Sequence, residues 1–97
     1  MTVESCAALI KLLADKFGFP KTSKDRHYIA LAVTLVATYD EVIVILSEDL
    51  DFYDPPAKAR ASKAREAILK SCSGPVARHL AKKQSVAVRS VVAHLAA

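Results

Sequence analysis

The run Val42-Ile43-Val44-Ile45-Leu46 constrains this chain more than any other feature. It is short, and its β-branched residues are unbroken by any polar position. Such a run reads as a strand covered on both faces, as in a parallel sheet, rather than an alternating surface strand. One strand cannot stand alone, and Val86-Ala87-Val88-Arg89 offers a second. Between them lie two helical stretches, so a right-handed parallel connection is expected. Two strands still leave a long apolar edge, which is an association site. The expectation is therefore a homo-oligomer or a complementing chain. Should the protein be a clean monomer, the run is instead covered by flanking helices or is itself helical.

The remaining elements follow from periodicity and punctuation. Val3, Cys6, Ala7, Ile10, Leu13, Ala14 and Phe17 recur at the spacing of one buried helical face over residues 2–17. Thr2 stands where a cap belongs, Glu4 suits the positive end of the dipole, and Gly18 fits the C-cap. A second helix starts after Phe19-Pro20, with Thr22 or Ser23 as cap, and runs to Tyr39. It is apolar almost all round, which predicts burial on more than one side. After the strand comes a loop, Ser47 to Pro56, that two prolines close. An Ala-rich basic helix is expected over 57–71, then a short helix from Pro75 to about Lys83. Ser90 caps a terminal helix through Leu95.

The order helix, helix, strand, helix, helix, strand, helix defines an α/β class: a small helix-rich domain with a short parallel sheet, strands 42–46 and 86–89. The alternative is a mostly α chain. Ninety-seven residues suffice for a single domain, 1–97. No apolar run approaches the roughly 18 residues of a membrane span, so no membrane partner is expected. With no secretory leader pattern and only two cysteines, a cytoplasmic protein with reduced thiols is expected.

Charge is segregated. Residues 1–55 carry five Lys/Arg against nine Asp/Glu, whereas residues 56–97 carry nine against the single Glu66. Six of the acids lie between Asp40 and Asp54, where there is no base. This pattern suits a chain that holds a polyanion electrostatically and a metal ion locally. Ligands of open α/β sheets bind outside the carboxyl ends of strands. Ser47-Glu48-Asp49-Leu50-Asp51 occupies that position. Asp49 and Asp51, two apart, are hard oxygen donors suited to Mg²⁺ or Mn²⁺. Asp25 joins them only if the chain doubles back between helix and strand. The plain alternative is that Asp25 is a helix-dipole carboxylate and Asp49 and Asp51 are turn formers.

Lys24-Asp25-Arg26-His27-Tyr28-Ile29-Ala30-Leu31-Ala32, the strand, and Ser47-Glu48-Asp49-Leu50-Asp51-Phe52 together resemble the C-terminal half of a PIN-domain nuclease. The tail from His79 to Val91 is similar to the last strand and helix of that fold, so the resemblance covers about residues 20–95. It implies a Mg²⁺- or Mn²⁺-dependent ribonuclease, often the toxin of a toxin–antitoxin pair. The implied catalytic and metal-binding residues are Asp25, Asp49 and Asp51, with Ser47 as the hydroxyl beside the metal. Lys58, Arg60, Lys63 and Arg65 would hold RNA phosphates without reading sequence. The family also has a first strand ending in an acid and a second acid on an early helix. Neither is present here, so the resemblance implies a fragment inactive alone or dependent on a complementing chain. The alternative function is a non-catalytic basic module that binds nucleic acid or an acidic protein.

Overall fold

The computed structural model describes residues 6–96. The expected terminal features Thr2, Val3 and Glu4 lie outside the described residues. The chain runs α1 (Ala7–Phe17), α2 (Asp25–Tyr39), β1 (Ile43–Leu46), α3 (Ser62–Ser71), α4 (Pro75–Gln84), β2 (Val86–Arg89) and α5 (Val91–Ala96). Two 3₁₀ turns, Leu50–Phe52 and Pro55–Ala59, fill the segment between β1 and α3. The strands form a two-stranded parallel sheet with Ile43 opposite Val86 and Leu46 opposite Arg89. The α/β reading and the element order hold. No described helix is long and apolar enough to cross a membrane.

Local chemistry explains most boundaries. Gly18 ends α1 in the left-handed region at φ 78°, its N–H donating to the Ala14 carbonyl at 3.0 Å, the conformation glycine adopts without a Cβ penalty. The N-cap of α2 is Lys24 rather than the expected Thr22 or Ser23, and its side chain caps nothing; Ser23, one residue earlier, accepts the Asp25 N–H on its Oγ at 2.9 Å. Asp40 closes α2 at φ 53° with its N–H on the Val36 carbonyl. From there the chain reverses. Fifteen helical residues rise about 22 Å, and the extended stretch Val42 to Glu48 covers nearly the same length at ~3.3 Å per residue. The start of α2 is thereby returned to the carboxyl end of β1.

The core joins α1, α2, α4 and the inner face of the sheet. Leu13, Ile29, Val76, Leu80 and Val86 are fully buried, and Ile43 and Ile45 pack against them from β1. Phe52 and Tyr53 anchor the loop into this core as expected, Phe52 meeting Phe19 edge-on at 6.4 Å between ring centres.

Three expectations need correction. β1 is not covered on both faces: Ile43 and Ile45 turn inward, while Val44 and Leu46 are about half exposed. Alternate strand residues face opposite sides, and only the Ile43 and Ile45 side meets the core. Nor is α2 buried on several sides, because Tyr28, Leu31 and Tyr39 are exposed where no described element packs on them. The basic helix 57–71 is two pieces. Ala57 is fully buried and Lys58 is drawn into the acidic loop, so the backbone leaves helical geometry at Arg60 and Ala61 before α3 begins at Ser62.

Candidate metal centre

The loop after β1 is shaped by its own polar side chains. Ser47 Oγ accepts the Asp49 N–H at 3.0 Å, and Asp49 Oδ1 accepts the Asp51 N–H at 2.9 Å. These short-range bonds are the alternative to helix or sheet that Ser and Asp offer the backbone. Tyr53, wholly buried, donates its hydroxyl to the Ser47 carbonyl at 2.8 Å, and burial raises the Tyr53 pKa well above its usual range. Its own carbonyl accepts the Val76 N–H at the head of α4. Gly74 makes that approach possible, because a Cβ there would stand 2.2 Å from the Tyr53 carbonyl oxygen. The loop is therefore held from both the strand side and the α4 side.

On this frame the three expected carboxylates meet. Asp25, Asp49 and Asp51 each place one oxygen within 4.8 Å of the others. Three acids are thus close enough to hold a metal ion. The doubling back of α2 onto β1 supplies the condition on which Asp25 depended. Burial, followed by the charge of Asp49 and a shared hydrogen bond with it, raises the Asp25 pKa above the ordinary carboxylate range. For Asp49, burial also pushes upward, but it is outweighed by the Asp51 N–H, by Lys58 and by the proton shared from Asp25, so its pKa falls. Of the two, Asp25 is therefore the carboxyl that holds a proton more tightly.

Lys58 completes the cluster, in a role that sequence spacing did not assign. Its Nζ lies 2.7 Å from Asp51 Oδ2 and 3.1 Å from Asp49 Oδ1. Hydrogen bonding to Asp51 raises its pKa against the opposing effect of burial, with Asp49 adding to the rise. Asp51 is nearly inaccessible at 5% exposure, and a buried carboxylate needs such a partner. The signal was available in the sequence: Lys58 is the first base after an acid-only window.

The other expected residues fall elsewhere. Ser47 borders an open cavity of about 330 Å³ with Asp25, Tyr28, Leu46, Glu48 and Phe52. Arg60 leaves the basic set to pair with Asp54 at 3.5 Å. Lys63 and Arg65 are exposed on α3, Arg65 touching only Ser62 Oγ at 3.3 Å. Glu48 turns away from the triad and accepts the Val91 N–H at the start of α5. No family model, curated protein or solved structure matches this chain.

Proposed function

We propose that Asp25, Asp49 and Asp51 form the hard-oxygen part of a Mg²⁺ or Mn²⁺ site in a PIN-like ribonuclease half-domain, of toxin–antitoxin type, that a second polypeptide completes. The observation that supports this best is the convergence of Asp25 with Asp49 and Asp51, residues 24 or more positions apart, on one point. The donor set fits the ion in kind, since carboxylate oxygens suit Mg²⁺ and Mn²⁺. The ammonium of Lys58 already occupies the attractive potential between Asp49 and Asp51. A bound divalent ion would supply Lewis-acid polarisation of a phosphodiester and a nucleophilic water.

The chain's own residues do the rest. Asp49 and Asp51 are oriented by the loop bonds, and with Asp25 they would hold the ion. Lys63 and Arg65, exposed on α3, are placed to meet phosphate oxygens. Three carboxylates, two of them already paired with Lys58, make a weak site, which is why further acids from a second polypeptide belong to the reading.

Lys58 also favours a second reading. If its contacts are permanent, the cluster is an internal ion-pair network, and the protein is a non-catalytic module whose exposed basic face binds nucleic acid or an acidic partner. Titration of Mn²⁺ into the full chain separates the two. The metal reading expects saturable binding in the millimolar range or tighter, abolished in Asp49→Asn. Absence of saturation in wild type, or binding unchanged in Asp49→Asn, would leave only the basic module.

A further inference from the structure

β1 is paired along one side only. The N–H groups of Ile43 and Ser47 donate to the carbonyls of Ser85, just before β2, and Arg89, at its end, at 3.2 and 3.0 Å. Backbone groups alternate in direction along a strand, so Val44 and Leu46 turn their N–H and C=O groups to the opposite side. Among the described residues no strand lies there. Beside those groups runs an apolar groove of about 200 Å³ between β1 and α2, lined by Tyr28, Leu31, Leu35, Val44 and Leu46. Leu31 and Leu46 are both more than half exposed. Open backbone groups beside an apolar groove are the two elements of recognition by strand addition.

Charge identifies the occupant. At the entry to the groove stand Asp40 and Glu41, both exposed, and at its exit stand Glu48 and Asp49. The nearest following base, Lys58, is committed to Asp49 and Asp51. A second copy of this chain is a poor fit. Antiparallel pairing of two β1 edges about a two-fold axis would set Asp40 and Glu41 of one copy against Glu48 and Asp49 of the other, and like charges opposed across strands destabilise. The side of β1 already filled takes a small apolar strand, β2, whose terminal base Arg89 lies opposite Leu46.

We infer that the open edge of β1 takes an extended segment of a partner protein: four to six apolar, β-branched-rich residues with Lys or Arg at both ends. The segment adds as a third strand and lays alternate side chains into the groove beside Leu31. The groove and the cavity at the acidic cluster share Tyr28, Ile45 and Leu46, so the end of such a segment arrives next to Asp25. The inference rests on the reading above only in taking this partner as the second polypeptide.

The probe is a synthetic peptide, Lys-Lys-Val-Thr-Val-Thr-Val-Arg-Arg, titrated into the full-length protein, with amide shifts followed by NMR. The expected result is saturable binding with the largest shifts at Val44 and Leu46. It weakens tenfold or more when glutamates replace the flanking bases, and severalfold in Glu41→Lys. Val44→Pro removes an N–H that the β1–β2 ladder does not use, and proline is tolerated on an edge so placed. With far-UV circular dichroism unchanged, that variant should lose binding at least tenfold. Equal binding of the glutamate-flanked peptide, no shifts along β1, or self-association of the chain through this edge would overturn the inference. The two ideas fail separately. Peptide binding without Mn²⁺ saturation sinks the metal reading alone, and Mn²⁺ saturation without peptide binding sinks the strand-addition inference alone.

Discussion

The two strands run side by side and end within reach of each other, yet their carboxyl ends are built on opposite principles. After β2, Ser90 is fully buried with its own polar atoms paired: its Oγ donates to the Leu69 carbonyl at 2.6 Å and accepts the Ala93 N–H at 3.1 Å, while its N–H reaches Cys72 Sγ; beside it the Arg89 Nε is buried with no hydrogen-bond partner among the described residues. After β1, Ser47 is half-buried: its N–H donates to the Arg89 carbonyl, its carbonyl accepts the Tyr53 hydroxyl and its Oγ accepts only the Asp49 N–H, and the chain then gathers three carboxylates, two of them paired with the Lys58 ammonium. A serine begins the turn in both places. The first end is a packed neutral turn and the second is a cluster of charge.

The largest effect should come from what holds the charged end in place. Gly74→Ala must push Tyr53 away from α4, and strain of this kind at a backbone contact costs about 3 kcal/mol. The expected outcome in urea denaturation is a lowered midpoint, accompanied by loss of Mn²⁺ binding because Tyr53 no longer steadies Ser47. Next comes the contrast between the serines. Ser90→Ala removes both bonds of a fully buried hydroxyl, leaving the Leu69 carbonyl only the weak Cys72 Sγ donor, and should cost about 2 kcal/mol, whereas Ser47→Ala, at a partly wet turn, should cost about 0.5 kcal/mol. Equal costs would mean the two ends do not differ as described.

Lys58→Met tests the charged end itself. Because Lys58 is half exposed, solvent screening holds the loss near 1 kcal/mol, but the cluster is left with unbalanced negative charge. Mn²⁺ affinity should rise severalfold over wild type while stability falls. A parallel fall in both would make Lys58 a structural pin and favour the basic-module reading. The smallest effect belongs to Asp25→Asn. The amide can still donate to Asp49 without a charge to suppress. A raised folded-state pKa at Asp25 means its contribution to stability is full at acid pH and disappears as pH rises through that value. The lowered Asp49 pKa has the opposite sign, its contribution being lost as pH falls through the folded value. Asp25→Asn should therefore raise Tm slightly at neutral pH and leave it unchanged at acid pH, as read by calorimetry.

Much of this was legible in the residues. The strands at Val42–Leu46 and Val86–Arg89, the Gly18 cap, the anchoring of Phe52 and Tyr53 and the acids at 25, 49 and 51 all follow from local pattern, because each depends on neighbours a few residues away. What pattern could not supply was tertiary. The split of 57–71 depends on Ala57 finding the core and Lys58 finding Asp51, contacts that helix propensity does not anticipate. The exposure of Val44, Leu46 and Leu31 is likewise beyond hydropathy, which marks what could be buried and cannot say whether enough chain is present to bury it. The meeting of Asp25 with Asp49 was conditional on a reversal at Asp40 whose geometry no motif encodes.

The account depends on Asp25 and Asp49 acting as one coupled pair. Carboxyl NMR titration of Asp25, in wild type and in Asp49→Asn, measures this directly. The prediction is an Asp25 that titrates above the ordinary carboxylate range in wild type and moves down when residue 49 loses its charge. An Asp25 that titrates as an ordinary surface aspartate, indifferent to residue 49, would contradict it.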